Sequence, residues 1–371
     1  MNKDILRVAF KPLTLVNKII PKEEMIFFYS NLGFRDNVKA FYDYLIREGY
    51  NKRYQIVVSI NDFEKFEKKA PENVLFVNNK EGIKYFLKSK YAFYCFGKYP
   101  IKPAKSQMVV NLWHGMPLKR VGNMEKGLEK IDYNFFTKII STAEVFNPIL
   151  EKSFSCRREQ VAIMGQPRND EMFVENNMID TAVRRGSKKM ILWLPTYRDD
   201  KQEVPLPGFD EEQVKSLNDF LRNKECRLIV KIHPLQEFSE NLGKLSNIEF
   251  ITQEELNKGE MSVYALLRAA DALITDYSSV FFDYMLLDRP IAFTVDDIKK
   301  YQAERGFSFD NPYEYMPGPH LESLEGIKKF IEDVVQDRDE YREERNKVNN
   351  IVNFYQDGNS SKRIAETFIG K

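Results

Sequence analysis

The sequence predicts an α/β protein made of two doubly wound domains in tandem. Three observations predict it. Short apolar runs with the length of buried parallel strands recur in two series, helical periods lie between them, and one weak, polar stretch separates the series.

In the first series the runs are MIFFYS (25–30), YQIVVSI (54–60), NVLFV (73–77), YAFYCF (91–96) and MVVNLW (108–113). They are rich in Ile, Val, Phe and Tyr and lack the alternation of a half-exposed strand, so they read as strands covered on both faces. Between the first two, residues 36–49 have a helical period, with Asp36 near the start and Gly49 at the end, the pattern of a crossover helix. The second series is KMILWLP (189–195), RLIVKIHP (227–234), IEFIT (248–252), DALITD (271–276) and PIAFTV (290–295), with helical patterns over 210–223, 261–270 and 278–287. The polar stretch 174–188 is the predicted connection. A first domain then covers 23–173 and a second 189–350; the charged tail over 323–350 reads as a solvated helix, and 351–371 as a segment returning to the first domain. Doubly wound sheets bind ligands where strand carboxyl ends meet helix amino ends, so the chemistry is expected in a cleft between the domains.

Composition narrows the function. Of 371 residues 43% are hydrophobic and 30% charged, which excludes a disordered or fibrous chain. With 56 Lys and Arg against 55 Asp and Glu, the net charge of +1 argues against a nucleic-acid partner. Three scattered cysteines, Cys95, Cys156 and Cys226, suit a reducing compartment and neither a disulfide framework nor a cysteine zinc site. No run is long enough to cross a bilayer and no secretory leader is apparent, so a cytoplasmic location is expected. Residues 3–22, KDILRVAFKPLTLVNKIIPK, interleave apolar and basic positions, however. Residues 1–22 are therefore expected to form an amphipathic segment, kinked at Pro12, that lies on the anionic inner face of the membrane; an ordinary surface helix whose apolar side packs on the domain would give the same pattern.

No GxxxxGK[ST] loop occurs and no GxGxxG follows a strand, so a nucleotide needs another cradle. DALITDYSSVFFDYML (271–286) offers one: a strand ending in Asp276, then Ser278 and Ser279 at the start of a helix, where N–H groups and hydroxyls suit a diphosphate. A plain serine N-cap would give the same pattern. The three histidines all neighbour Gly or Pro, and His114 and His233 end predicted strands, where a side chain faces the cleft. Neither has a second ligand at helical spacing, so no metal site is expected. WLPTYRDD (193–200) delivers Thr196 and Arg198 to the same edge, and Arg198 can clamp a phosphate bidentately. Lys119, Arg120, Arg168 and Arg305 add cations in turn contexts. Asp337 and Asp339 form a DxD, but in the charged tail, and read as a solvated face.

Taken in order, WHGMPLK, GQPRND, LPTYRDD, KIHP and ITDYSSVFFDYMLLDRPIAF followed by ERGF and PGP resemble the motifs of the CDP-glycerol glycerophosphotransferase family, the teichoic-acid primases and polymerases. The resemblance covers about residues 111–320. It implies a GT-B-like fold of two Rossmann-type domains facing a central cleft. It also implies cofactor-free, metal-independent transfer of a polyol phosphate, most simply glycerol phosphate, from CDP-glycerol or CDP-ribitol to a polyprenol-diphosphate-linked saccharide or a growing polymer, with release of CMP. By the same carry-over His114 is the general base, and His233 is a second catalytic residue at the donor diphosphate. Arg198, Thr196, Asp276, Ser278, Ser279 and Arg305 hold the donor, and Gly115, Lys119 and Arg168 contact acceptor or phosphate. Met116 stands where the family has Thr, Tyr197 where it commonly has Trp or Phe, and His320 receives no role. The lack of a large extra region favours a primase or single-addition enzyme. A GT-B glycosyltransferase using a nucleotide sugar is the alternative, and a non-catalytic nucleotide-binding or membrane-surface scaffold a more distant one.

Overall fold

The computed structural model describes residues 3–195, 209–231, 245–258, 261–295 and 297–370. They form two compact units. The first comprises Met1–Met116, Val121–Asp170 and Phe354–Lys371, and the second Pro117–Arg120 and Glu171–Asn353.

The first unit contains strands β1 (Glu23–Ser30), β2 (Gln55–Ile60), β3 (Val74–Val77), β4 (Ser89–Tyr94), β5 (Met108–Asn111), β6 (Lys138–Ser141) and β7 (Val161–Ile163), in the order β3-β2-β1-β4-β5-β6-β7. Every pairing is parallel. The reversal of winding between β1 and β4 is the switch point at which such sheets open a crevice at their carboxyl edge. The helix Asp36–Arg47 crosses from β1 to β2 and buries Val38, Phe41 and Leu45 because their spacing puts them on one face. Phe41 meets Phe28 and Phe93 edge-on, with centroids 5.9 and 4.8 Å away.

The second unit repeats this plan with β8 (Lys189–Leu194), β9 (Cys226–Lys231), β10 (Ile248–Ile251), β11 (Ala272–Thr275), β12 (Ile291–Thr294) and β13 (His320–Leu321), ordered β10-β9-β8-β11-β12-β13 and again parallel. Its core gathers Trp193, Leu217, Leu228, Ile274 and Ile331. All ten runs read as strands are strands. The sequence reading missed β7 and β13, three and two residues long and too short to register, and β6, in which only Ile139 and Ile140 form an apolar run.

The first helix runs from Lys3 to Ile19 with Pro12 inside it. Three local expectations need correction. The stretch 174–188 is more than a connection: it carries the helix Asn177–Arg184, and Asp180 there accepts from the nearly buried Arg268 guanidinium at 2.8 Å within the second unit. The charged tail is not solvated throughout, since the helix Leu324–Val335 buries Ile327, Phe330 and Ile331 in the second core. Asp339 is no solvated face either: it accepts from Arg345, whose side chain is fully buried and also pairs with Asp288 at 3.0 Å.

The final helix, Ser360–Phe368, places Ile364, Ala365 and Phe368 in the core of the first unit. Its amino end is held by Asp170, whose carboxylate accepts the N–H groups of Ser360 and Ser361 at 2.8 and 2.7 Å. Gly165, at φ 76°, approaches so closely that a Cβ there would overlap the Ser360 hydroxyl. Asp170→Ala leaves two N–H groups without their acceptor and is expected to lower the unfolding free energy by about 1–3 kcal/mol. Chemical denaturation monitored by tryptophan fluorescence checks this, and an unchanged midpoint contradicts it.

Candidate functional site

In the first unit the site is built at the carboxyl end of β5. Asn111 ends that strand with its own side chain, Oδ1 accepting the Trp113 N–H at 3.0 Å, an Asx turn that stops the ladder. Trp113 then takes a left-handed φ of 47° and Gly115 a φ of 128°, open to glycine at little cost. Between them stands His114, half-buried, its imidazole stacked on Phe96 (centroids 5.0 Å, 20° between planes) and against Trp113 (3.9 Å, 37°). The exposed Arg35 guanidinium caps the other partner of that stack, 5.3 Å from the Phe96 centroid. Trp113 is in turn fixed edge-on against Phe154 at 4.6 Å.

Beneath the loop lies a polar network. Arg168, 6% exposed, donates from Nη1 to both oxygens of Asp36 at 3.1 and 2.9 Å and to the main-chain carbonyl of His114 at 2.9 Å. Asn37 Nδ2 donates to the carbonyls of Leu112 and Trp113, and its Oδ1 accepts the Arg168 N–H. The Cys95 thiol donates to the Trp113 carbonyl at 2.9 Å. Burial, and then the neighbouring Asp36 charge, push that thiol well above the usual range, so it stays protonated and able to donate. Asp36, Asn37, Cys95 and Phe96 carry no motif of their own, and sequence reasoning missed them.

In the second unit the candidate residues follow β11, at the β8/β11 switch point. The same turn chemistry recurs: Asp276, 2% exposed, accepts the Ser278 N–H at 3.2 Å. Tyr277 is wholly buried, donates to Asp297 Oδ1 at 3.0 Å and packs on Tyr301 and Phe307. Ser278 and Ser279 are half-buried, and Ser279 precedes the short helix Val280–Tyr284 without making a side-chain cap bond. The N-cap explanation of that serine therefore fails. Phe307, packed on Tyr277, anchors the turn that carries the exposed Arg305 and Gly306. Leu118–Arg120 runs antiparallel to that turn: the Arg120 N–H donates to the Gly306 carbonyl at 3.1 Å, and Lys119 bridges to Phe307. Lys119 and Arg305 are thus brought to one place in this unit. Thr196, Arg198 and His233 lie outside the described residues. His320 is exposed beside Tyr313, and partial burial of its ring holds its pKa below the usual value. Among the described residues no three His, Cys, Asp or Glu gather as a metal site.

Two parallel sheets, each wound in both directions and each carrying polar loops at its carboxyl edge, define a GT-B-like protein. In agreement, the structure superposes on that of the wall teichoic acid polymerase TagF with a TM-score of 0.78, at 24% identity, over 99% of this chain and 96% of that one. Residues 12–370 match the family described as CDP-Glycerol:Poly(glycerophosphate) glycerophosphotransferase, and the chain belongs to this family of transferases. It is 30% identical to a teichoic acid poly(glycerol phosphate) polymerase of Bacillus spizizenii, over 99% of this chain and 96% of that protein. It is 31% identical to a teichoic acid glycerol-phosphate primase of Bacillus subtilis, over 70% and 67%.

Since Ser279 caps nothing, Ser279→Ala is expected to change the unfolding free energy by less than about 0.5 kcal/mol. Asp276→Ala, which removes the turn acceptor, should cost about 1–2 kcal/mol. Paired denaturation curves check the contrast; equal losses would return Ser279 to a capping role.

Proposed function

We propose that the protein transfers glycerol phosphate from CDP-glycerol to a hydroxyl of a lipid-linked saccharide or growing polymer, releasing CMP. The observation that carries this reading is His114: an imidazole held between two aromatic rings at a sheet's carboxyl edge, in a chain of this family. Glycerol is preferred to ribitol because the two relatives described above are named for glycerol phosphate.

In the proposed reaction the acceptor hydroxyl oxygen attacks the phosphorus that bears the glycerol. The bond from that phosphorus to the bridging oxygen breaks, and CMP leaves with the bridging oxygen and the electron pair. His114 takes the hydroxyl proton as general base. Charge developing on the bridging oxygen as CMP leaves requires donors and cations more than covalent chemistry. Ser278, Ser279 and Arg305 are the proposed donor contacts among the described residues, with Asp276 shaping their turn. His233, Arg198 and Thr196 join them on the strength of the resemblance. Gly115 allows close approach of the acceptor beside His114, and Lys119 offers a charge near Arg305. No metal or other cofactor takes part in this scheme.

A lipid-linked acceptor has to be met at a membrane. Among the described residues no helix is long and apolar enough to span one. The first helix is suited to lie on its surface: Asn17 is fully buried and donates to Gln107 Oε1 at 2.9 Å, tying one face down. On the outer face Leu15 and Ile19 are 63% and 81% exposed, with Val16 beside them and Lys11 and Lys18 exposed as well.

With CDP-glycerol, a short-chain lipid-disaccharide and EDTA, the protein should release CMP and add glycerol phosphate to the acceptor. His114→Ala should lower kcat by about 10²–10⁴-fold, the range of a lost general base. Absence of CMP from both CDP-glycerol and CDP-ribitol with folded protein would remove the donor class and favour nucleotide-sugar transfer. Leu15→Glu/Ile19→Glu should weaken sedimentation with phosphatidylglycerol vesicles by about tenfold or more at unchanged stability, because it places two carboxylates against an anionic surface; equal binding by both proteins would assign the membrane contact elsewhere.

A further inference from the structure

Three consecutive main-chain carbonyls after β5 are each held by a side chain from another part of the first unit. Leu112 accepts from Asn37 at 3.1 Å, Trp113 from Asn37 at 2.8 Å and from Cys95 at 2.9 Å, and His114 from Arg168 at 2.9 Å. Buried carbonyls are normally satisfied, but here side chains from three segments converge on one turn, and two of the residues involved have left-handed backbones, which Asp adopts readily and a bulky Trp holds only with support. Trp113 has φ 47° and Asp36 φ 59°. The Arg168 and Asp36 side chains are 7% and 17% exposed, so neither is placed to meet a ligand in the way a surface cation is. Arg168 donates to the peptide carbonyl of His114.

We propose that the buried Asp36–Arg168 pair positions His114 for proton transfer by fixing the carbonyl of the residue that bears the imidazole. Both are positioning residues: neither touches the reacting atoms. Asp36 holds the guanidinium with both oxygens, and the guanidinium fixes the rotation of the His114 peptide, hence the direction of its Cα–Cβ bond and the seat of the ring on Phe96. All three bonds leave one nitrogen, Nη1, whose N–H directions the planar guanidinium fixes, whereas the ammonium of Lys is a point charge on a flexible stem without fixed directions. A shift of about 1 Å in a catalytic group can cost a hundredfold in rate. The inference rests on His114 acting as proposed above, and its test separates the two.

The chain has three histidines, so histidine labelled with 13C and 15N gives a sparse spectrum. His114→Ala and His320→Ala assign it. Lying between two aromatic rings, His114 should carry ring-current-shifted protons. In Asp36→Asn and in Arg168→Lys those signals should move towards the positions of an exposed imidazole while the other two histidines keep theirs. The kcat for CMP release should fall about tenfold or more, with KM for CDP-glycerol within about twofold. Should either single variant fail to fold, Asp36→Asn/Arg168→Gln leaves no buried charge and is read by the same signals. Folded variants with unmoved His114 signals and wild-type kcat would overturn the proposal, and lowered stability with both unchanged would assign the pair to the fold alone. If the wild-type protein releases no CMP, the transferase reading fails, while the resonance shift still decides whether the pair sets the imidazole.

Discussion

The Asp36–Arg168 ion pair is the constraint around which the first unit is organised. Two charges withdrawn from water are tolerated only when each is paired and hydrogen-bonded, and removing one partner typically costs about 3–5 kcal/mol. Here the pair is satisfied by segments far apart in the chain. Asp36 opens the first crossover helix, the His114 carbonyl follows β5, Arg168 follows β7, and the thiol of Cys95 lies at the end of β4. Forming the pair therefore requires that the segments following four strands, β1, β4, β5 and β7, be in register. Two residues beyond Arg168, Asp170 captures the amino end of the last helix, so GQPRND joins the histidine loop on one side to the returning carboxyl terminus on the other. In the fold this hexapeptide is a clasp between the two.

The second unit reaches an equivalent loop with a different set of groups. Both loops begin with an Asx turn, Asn111 onto Trp113 and Asp276 onto Ser278, because a parallel strand must end its ladder abruptly if the next residues are to stand clear of the sheet edge. Where the first unit then fixes one ring with two aromatic neighbours, the second buries Tyr277 and leaves two hydroxyls beyond it. Tyr277 donates to Asp297 and supports Phe307, so the serine turn and the arginine turn share one aromatic support. One loop is suited to directing a proton acceptor, the other to presenting several donors to a diffuse negative charge.

The strands were legible because parallel strands covered on both faces leave continuous apolar runs, and the runs between 25 and 113 and between 189 and 295 leave little else to be. β7 and β13 escaped because a strand of three or two residues at the margin of a sheet has too few positions to register, and β6 because Ile139 and Ile140 are its whole apolar run. His114 was legible from its place after a strand and before Gly115. Its support was not: Asp36 and Arg168 are 132 residues apart, and nothing in the neighbourhood of either announces the other. The tail misled for a related reason. Glu, Lys and Arg in quantity signal a solvated helix, yet Arg345 is fully buried because Asp288 and Asp339 meet it, a pairing that composition cannot reveal.

Trp113 shows what the histidine loop sacrifices for its geometry. A left-handed φ at a bulky residue costs about 1–3 kcal/mol, and glycine would remove the cost. Glycine would also remove the indole that lies 3.9 Å from the imidazole and leave the ring held on the Phe96 side alone. The strain is sustained by donors aimed at the Trp113 carbonyl, Asn37 and the Cys95 thiol. That thiol can serve only while protonated, and its burial beside the Asp36 carboxylate keeps it so. Burial first, and the charge that anchors Arg168 second, thus favour the protonated donor that holds Trp113 in its unfavourable conformation. Ion pair, thiol and strained tryptophan are three parts of one arrangement, each of which sustains the next, and the orientation of His114 is what they have in common.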